Sequence, residues 1–262
     1  MGWWCRSWAK CEILTYLRFS KIFLKILAAN FLAAFLLHGN FSITPTFLSG
    51  TVESVDPNDD GPSAINIVKL SRPIEYNHLV ASGVSSRCEL NIDEVIFRLG
   101  SLTVVQWPDK NTISLNSGSI VICSEKSIEL NIHSRSSQSI FVGSGTIIIE
   151  SLENGGFKFI PLEVKGTLST SKGGTIDLTG GRMLLILESP SYFGDAYDID
   201  LMLLLRSSML INAFPTPLPT FNQIGLAVYI QELKMKGKYD ALIGDAPTAG
   251  ELEIWRFGEA KE

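Results

Sequence analysis

The chain is poor in the residue types that usually announce chemistry. Its 262 residues hold three histidines and four cysteines. None of the histidines (His38, His78, His133) has a second His or a Cys at ligand spacing. No Cys-x-x-Cys, His-Glu-x-x-His or Gly-x-Ser-x-Gly occurs, so zinc sites and motif-bearing hydrolases have no signature here. Charge is sparse at 19% and net −5, with a pI near 5.3, and Lys165, Lys172 and Arg182 are too scattered for a nucleic-acid stripe. Glycine (22) and proline (11) are near background, which excludes collagenous and low-complexity chains. Residues 84–190 hold no helical pattern of about ten residues or more, which excludes a doubly wound α/β sheet.

What is there is apolar, at 45% of positions, and that argues for a folded core. Short runs of Val, Ile, Leu and Phe recur at spacings of about 8 to 12 residues. They include Leu90–Ile92, Val95–Leu99, Leu102–Gln106, Thr112–Leu115, Ile120–Cys123, Ile128–Ile132, Ile140–Val142, Thr146–Ser151, Phe157–Pro161, Thr175–Leu178 and Met183–Leu187. Turn chemistry separates them at Asn116-Ser117-Gly118, Gly143-Ser144-Gly145, Asn154-Gly155-Gly156, Gly173-Gly174 and Gly180-Gly181. The pattern predicts an all-β domain, either a β-solenoid-like stack or a rolled β-sandwich. A partly helical C-terminal extension is expected over residues 191–262, with helices at Ile199–Leu210 and Phe221–Lys236. Asp198 or Asp200 would cap the first, and the proline-rich Phe214–Pro219 would hold them apart.

The N-terminus has a different character. Residues 1–25 carry Arg6, Lys10, Arg18, Lys21 and Lys25 against Glu12 alone, so the remaining chain holds a net −9. An apolar run follows at residues 22–37, uncharged from Ile26 to Leu37. It is short for a spanning helix but fits the h-region of a signal. Residues 1–39 therefore read as a signal peptide or an uncleaved signal anchor, with Leu37-His38-Gly39 the candidate cleavage point. Residues 40–50 read as a linker, and 51–190 as the β-domain. Cys88 and Cys123 fall in the exported part, where two readings stay open: a disulfide, or two buried thiols acting as small hydrophobes.

The order of runs and corners resembles a known family. The segment Trp107-Pro108-Asp109-Lys110-Asn111-Thr112-Ile113-Ser114-Leu115-Asn116-Ser117-Gly118-Ser119 resembles the "LPDGTxVxLNAGS" stretch of FecR-type periplasmic domains. Ser85-Ser86-Arg87-Cys88-Glu89-Leu90 followed by Arg98-Leu99-Gly100 is similar to the family's "SRAEL…RLG" opening. Gly145-Thr146-Ile147, Phe157–Glu163 and Leu178-Thr179-Gly180-Gly181 stand where it has "GTxF", "vxVLEG" and "LxpGQ". The order holds over roughly residues 50–190, with Lys110 in place of a turn glycine and Val164-Lys165 inserted before Gly166. The resemblance implies an exported, non-catalytic module for interaction or signal relay in the bacterial cell envelope, periplasmic or held at the inner membrane by residues 22–37. It implies no catalytic, cofactor or metal residues. The partner would be an envelope protein rather than a nucleic acid. Only about 21 residues precede the apolar run, fewer than the ~40 that fold without staples, so direct control of a sigma factor by this chain is not expected.

Other classes were weighed on particular residues. A structural β-solenoid protein of the envelope and a carbohydrate-binding β-sandwich are the alternatives; the latter would need an exposed aromatic, and Trp107 is its candidate. Asp56-Pro57-Asn58-Asp59-Asp60-Gly61 matches half of an EF-hand loop, but the bidentate position falls on Ile67, so an Asp/Asn turn is expected. Asp195, Asp198 and Asp200 read as a solvated turn and a helix cap. No enzyme is expected. Residues 1–50 fused to a reporter active only after export are expected to give activity; an inactive reporter retained in the cytoplasm would overturn the leader.

Overall fold

The computed structural model describes residues 42–59, 61, 64–245 and 252–256. The leader in residues 1–39, with its run at 22–37, His38, Cys5 and Cys11, lies outside the described residues. From Ser42 onward the chain is mostly strand. In order come β1 (Thr44–Ser49), β2 (Val52–Val55), β3 (Ile65–Ile67), β4 (Leu79–Ser82), β5 (Arg87–Ile92), β6 (Val95–Leu99), β7 (Val104–Asp109) and β8 (Thr112–Ser117). Three long strands follow, β9 (Ser119–His133), β10 (Gln138–Ser151) and β11 (Phe157–Thr170), and then β12 (Gly174–Asp177), β13 (Arg182–Leu187) and β14 (Tyr192–Asp198). Helices α1 (Leu201–Ser207), α2 (Met209–Asn212) and α3 (Phe221–Met235) precede a separate hairpin of β15 (Ala241–Asp245) and β16 (Leu252–Arg256).

Fourteen strands form one mixed sheet along the path β14-β13-β11-β10-β9-β8-β7-β4-β2-β3, with β1, β5, β6 and β12 paired off it. β9 branches the sheet: Ile120–Cys123 pair with β6, while Asn131–His133 pair in parallel with β8. The outcome is the all-β class expected, with few helices.

The long strands are apolar at consecutive positions where both of their faces are covered, over Ile120–Cys123, Ile147–Ile149 and Phe159–Leu162. Side chains alternate across a strand, so Ile120, Ile122, Ile147, Ile149, Phe157 and Phe159 enter one buried cluster. Val121, Cys123, Ile148, Ile160 and Leu162 enter a second on the other face. The first cluster also takes Val52, Val80, Leu90, Phe97 and Trp107 from the rest of the sheet. The second is closed by Leu201 and Leu204 of α1, Leu210 and Ile211 of α2, Ile224 and Val228 of α3, and Ala241 and Ile243 of β15. Each such side chain contributes about 1.5–3 kcal/mol by leaving water. Cys88 belongs to the first cluster and Cys123 to the second, so the two thiols are free and on opposite faces. Burial pushes the Cys88 thiol far up from its ordinary value, and the charge of Glu89 adds to it.

Long strands under two layers need close backbone approach. In β10, Gly143 lies opposite Gly166 of β11, and Gly145 opposite Val164, with the ladder shifting register beside them. Gly145 has φ +118°, and a Cβ there would stand 2.1 Å from the Glu163 carbonyl oxygen. The triplet Gly143-Ser144-Gly145 is thus a pinch inside one strand rather than a turn between two. Likewise Ile120–Cys123 and Ile128–Ile132 are halves of β9. A turn signal in sequence records only that glycine is required, and strand-to-strand packing requires it as firmly as a corner does.

Two boundaries also differ from expectation. The segment 40–50 contains β1, which pairs with β5, and Ile43 is wholly buried; Pro45 sits at an irregularity of that ladder, where its missing N–H is tolerated. Residues 191–262 do not begin apart from the β-domain, since β14 pairs with β13. Of the two C-terminal helices expected, the one at Phe221–Lys236 is α3, whereas that at Ile199–Leu210 is split: α1 starts after Asp200, which accepts from the Leu203 N–H, and the chain breaks at Ser208 before α2.

Arg98 ties the C-terminal segment to the sheet. Its side chain, 1% exposed, donates to Glu89 Oε2 at 2.9 Å across the β5–β6 ladder, and Thr46 donates to Glu89 Oε1. The same guanidinium donates to the carbonyls of Ile211 and Thr216 and lies 4.4 Å from the centroid of Phe214. An Arg fork suits this task because it serves carboxylate, carbonyl and ring at once.

Gly145→Val is expected to lower the melting temperature by several degrees, because the strain exceeds about 1 kcal/mol and each kcal/mol is worth roughly 2–4 °C in a domain of this size. An unchanged melting temperature in a thermal scan would contradict the pinch.

Candidate functional site

The free end of the sheet carries the most chemistry. β3 is the last strand of the path and, among the described residues, pairs only with β2. Val68 N–H donates to the Val52 carbonyl and Asp56 N–H to the Ala64 carbonyl. Bonded pairs alternate along an antiparallel ladder, so Asn66 turns its backbone groups toward β2, whereas Ile65 and Ile67 turn theirs outward. Their side chains are 57% and 68% exposed. Ile65 lies in register with Val55, which is itself opposite Leu79, and this gives an apolar row across the outer face of the edge.

Beside this edge is a cavity of about 420 Å³ whose lining includes Ser54, Asn66, Lys69, Arg72, Glu75 and His78. The loop before β4 forms its wall and is anchored at several points. Ser71 N–H donates to the Pro45 carbonyl, Ile74 pairs with Ile43, and Asn77 N–H donates to the Trp107 carbonyl. Asn77 also accepts from Gln106 at 2.9 Å. These bonds set His78, whose Nδ1 lies 3.2 Å from the Ser54 hydroxyl. On its other side Nε2 lies 4.0 Å from both Asp56 Oδ2 and Glu75 Oε2.

A serine, a histidine and two carboxylates are therefore gathered from residues that look unrelated in sequence. The geometry is that of a polar cluster. At 4.0 Å the carboxylates attract an imidazolium but do not hydrogen-bond it. Ser54 is 6% exposed, and the ladder alternation commits its own N–H to Asn66, so neither a presented nucleophile nor an adjacent oxyanion donor is formed. What the cluster does is hold the loop wall against β2.

The other singled-out residues are dispersed. Asp56 and Asp59 accept from the amides of Asn58 and Gly61 in the expected Asp/Asn turn. His133 ends β9 in register with Ser114 and Gln138. Asp195 accepts from the Tyr197 hydroxyl, Asp198 pairs with Arg182, and Asp200 caps α1. Trp107 is wholly buried, edge-on to Phe97 at 5.3 Å, so it supplies no sugar platform: its side of β7 faces inward, and Pro108 and Asp109 continue the strand. A second groove, between α3 and the Leu178–Gly180 turn, contains Glu163, whose carboxyl burial pushes above the usual range while Lys165 draws it partly back. Gln231 gave no signal in the sequence, yet it docks α3, donating to the Ile199 carbonyl at 2.7 Å and accepting from the Leu201 N–H.

Comparison with protein-family models, with curated proteins and with solved structures finds no match to this chain.

His78→Ala is expected to cost about 1–2 kcal/mol, because it leaves the nearly buried Ser54 hydroxyl without its partner. Denaturant unfolding of the variant checks this, and a change within about 0.5 kcal/mol, as for an ordinary surface residue, would show that the contact is idle.

Proposed function

We propose that the chain is an exported, non-catalytic FecR-like β-domain protein that acts as an interaction or signal-relay module in the bacterial cell envelope, binding a protein partner by strand addition at β3. The single observation that carries the binding mode is the open edge, with outward backbone at Ile65 and Ile67 and exposed apolar side chains on the same residues. Exposed edges pair readily with another extended chain, backbone bonds giving affinity and alternate side chains giving selectivity. The partner segment is extended, with apolar side chains spaced to meet Ile65 and Ile67. The cavity beside the edge would take a polar side chain between Lys69, Arg72 and Glu75.

The family and compartment rest on the motif order over residues 50–190 and on the basic-then-apolar leader at 1–39. The first buried cluster, which draws on strands from both parts of the sheet, supports a finer reading of the fold. We read it as a rolled β-sandwich, one of the two forms, beside a β-solenoid-like stack, that the FecR resemblance implies.

Ile67→Pro tests the edge selectively, since the Ile67 N–H faces away from β2 and its loss spares the internal ladder. The variant is expected to fold normally by circular dichroism and to lose at least about ten-fold of a partner protein that copurifies with the natural chain from the envelope fraction, a loss of roughly 1.4 kcal/mol. Equal recovery of that protein by both chains would overturn strand addition at β3.

A further inference from the structure

The structure assigns a second surface, on α3, to an anionic lipid bilayer. This helix of 15 residues is apolar on two opposite sides. Ile224, Val228 and the docking residue Gln231 face the second buried cluster. Leu226, Tyr229, Ile230 and Leu233 recur at i, i+3, i+4 and i+7, which places them in one stripe. They are 58%, 59%, 41% and 59% exposed. A helix that served only to close the core would carry polar residues on that side.

Charge says what covers the stripe. Lys234, Lys236 and Lys238 stand exposed at the C-terminal end of α3, against Glu232 alone between Phe221 and Lys238. The chain outside this segment and the leader is net negative. An apolar helical stripe with aromatic and leucine side chains and a lysine cluster at its end is the chemistry of a helix lying in the plane of a lipid interface. Among the described residues no helix is long and apolar enough to cross a bilayer, so α3 would lie on the surface. A second copy of the chain offers this end no negative charge: in a parallel pairing of two α3 helices the lysine clusters meet, and in an antiparallel one each faces the uncharged start of the other, Phe221–Gly225. Near an anionic surface each lysine is worth roughly five-fold in affinity. This surface does not depend on the β3 edge, and either can fail alone.

The test uses the full chain in vesicles of phosphatidylethanolamine with phosphatidylglycerol, and in vesicles of phosphatidylcholine alone. A benzophenone-bearing residue replaces Leu226 or Tyr229, or, as a control, Val84, which is 76% exposed on a turn. Mass spectrometry then identifies the photoadducts. Lipid adducts at Leu226 and Tyr229 are expected in the anionic vesicles, well above those at Val84. They should fall many-fold when Lys234→Glu, Lys236→Glu and Lys238→Glu are combined, and also when salt is raised around the natural lysines. Adducts equal to those at Val84, adducts to a second copy, or yields indifferent to lysine and salt would each overturn the assignment. Because Val84 shares any tethering by the leader, the leader alone cannot reproduce the expected pattern.

Discussion

The structure depends on the burial of β9, β10 and β11 on both faces. A strand covered on one side can place polar residues on the other, but over Ile120–Cys123, Ile147–Ile149 and Phe159–Leu162 these strands have nowhere to put them. Ile147, Ile148 and Ile149 are consecutive and all buried, feeding two clusters in alternation. Two-sided burial makes the helices necessary, since without α1, α2 and α3 the face of Val121, Ile148 and Ile160 would meet water. It also makes glycine necessary where β10 and β11 approach closest. A methyl group at Gly145 has no free volume to enter in a well-packed interior.

Charge near such a centre is tolerated only when paired. Lys158 and Glu150 lie opposite each other on β11 and β10, 2.7 Å apart, and Arg98 and Glu89 do the same on β6 and β5. Removing one member of such a pair strands the other, a loss of about 3–5 kcal/mol, whereas the intact pair adds little net stability. Arg98 earns its place differently, by also holding the carbonyls of Ile211 and Thr216. It thereby couples the C-terminal segment to the sheet, and the described residues after 190 belong to the same compact unit as the β-strands.

The surfaces proposed for function lie where that constraint relaxes. Among the described residues β3 has one neighbouring strand, and its own three residues are exposed, while α3 needs only one of its sides to close the second cluster. Both are held by well-buried anchors, β3 through β2 and the His78 wall, α3 through Gln231. Apolar side chains can therefore stay exposed in defined positions without loosening the fold.

Local pattern determined the class of this protein. Alternation at Val95–Leu99, the turn at Asn154-Gly155-Gly156, the Asp200 cap and the extent of α3 are set by residues within a few positions of one another, so they were legible in the chain alone. Contacts between distant segments were not. Nothing near Arg98 in sequence marks Phe214 as its neighbour, and nothing near His78 marks Ser54. Trp107 is followed by Pro-Asp, a pair common in exposed turns, yet the pair continues β7 and the tryptophan's side of the strand faces inward. The glycines at 143 and 145 announce a backbone requirement without saying whether a corner or a neighbouring strand imposes it. Tertiary structure decided those matters because burial, pairing and edge exposure belong to strands brought together across the chain. A residue's own neighbours in sequence do not specify which face of a sheet will be covered, or which edge will be left open.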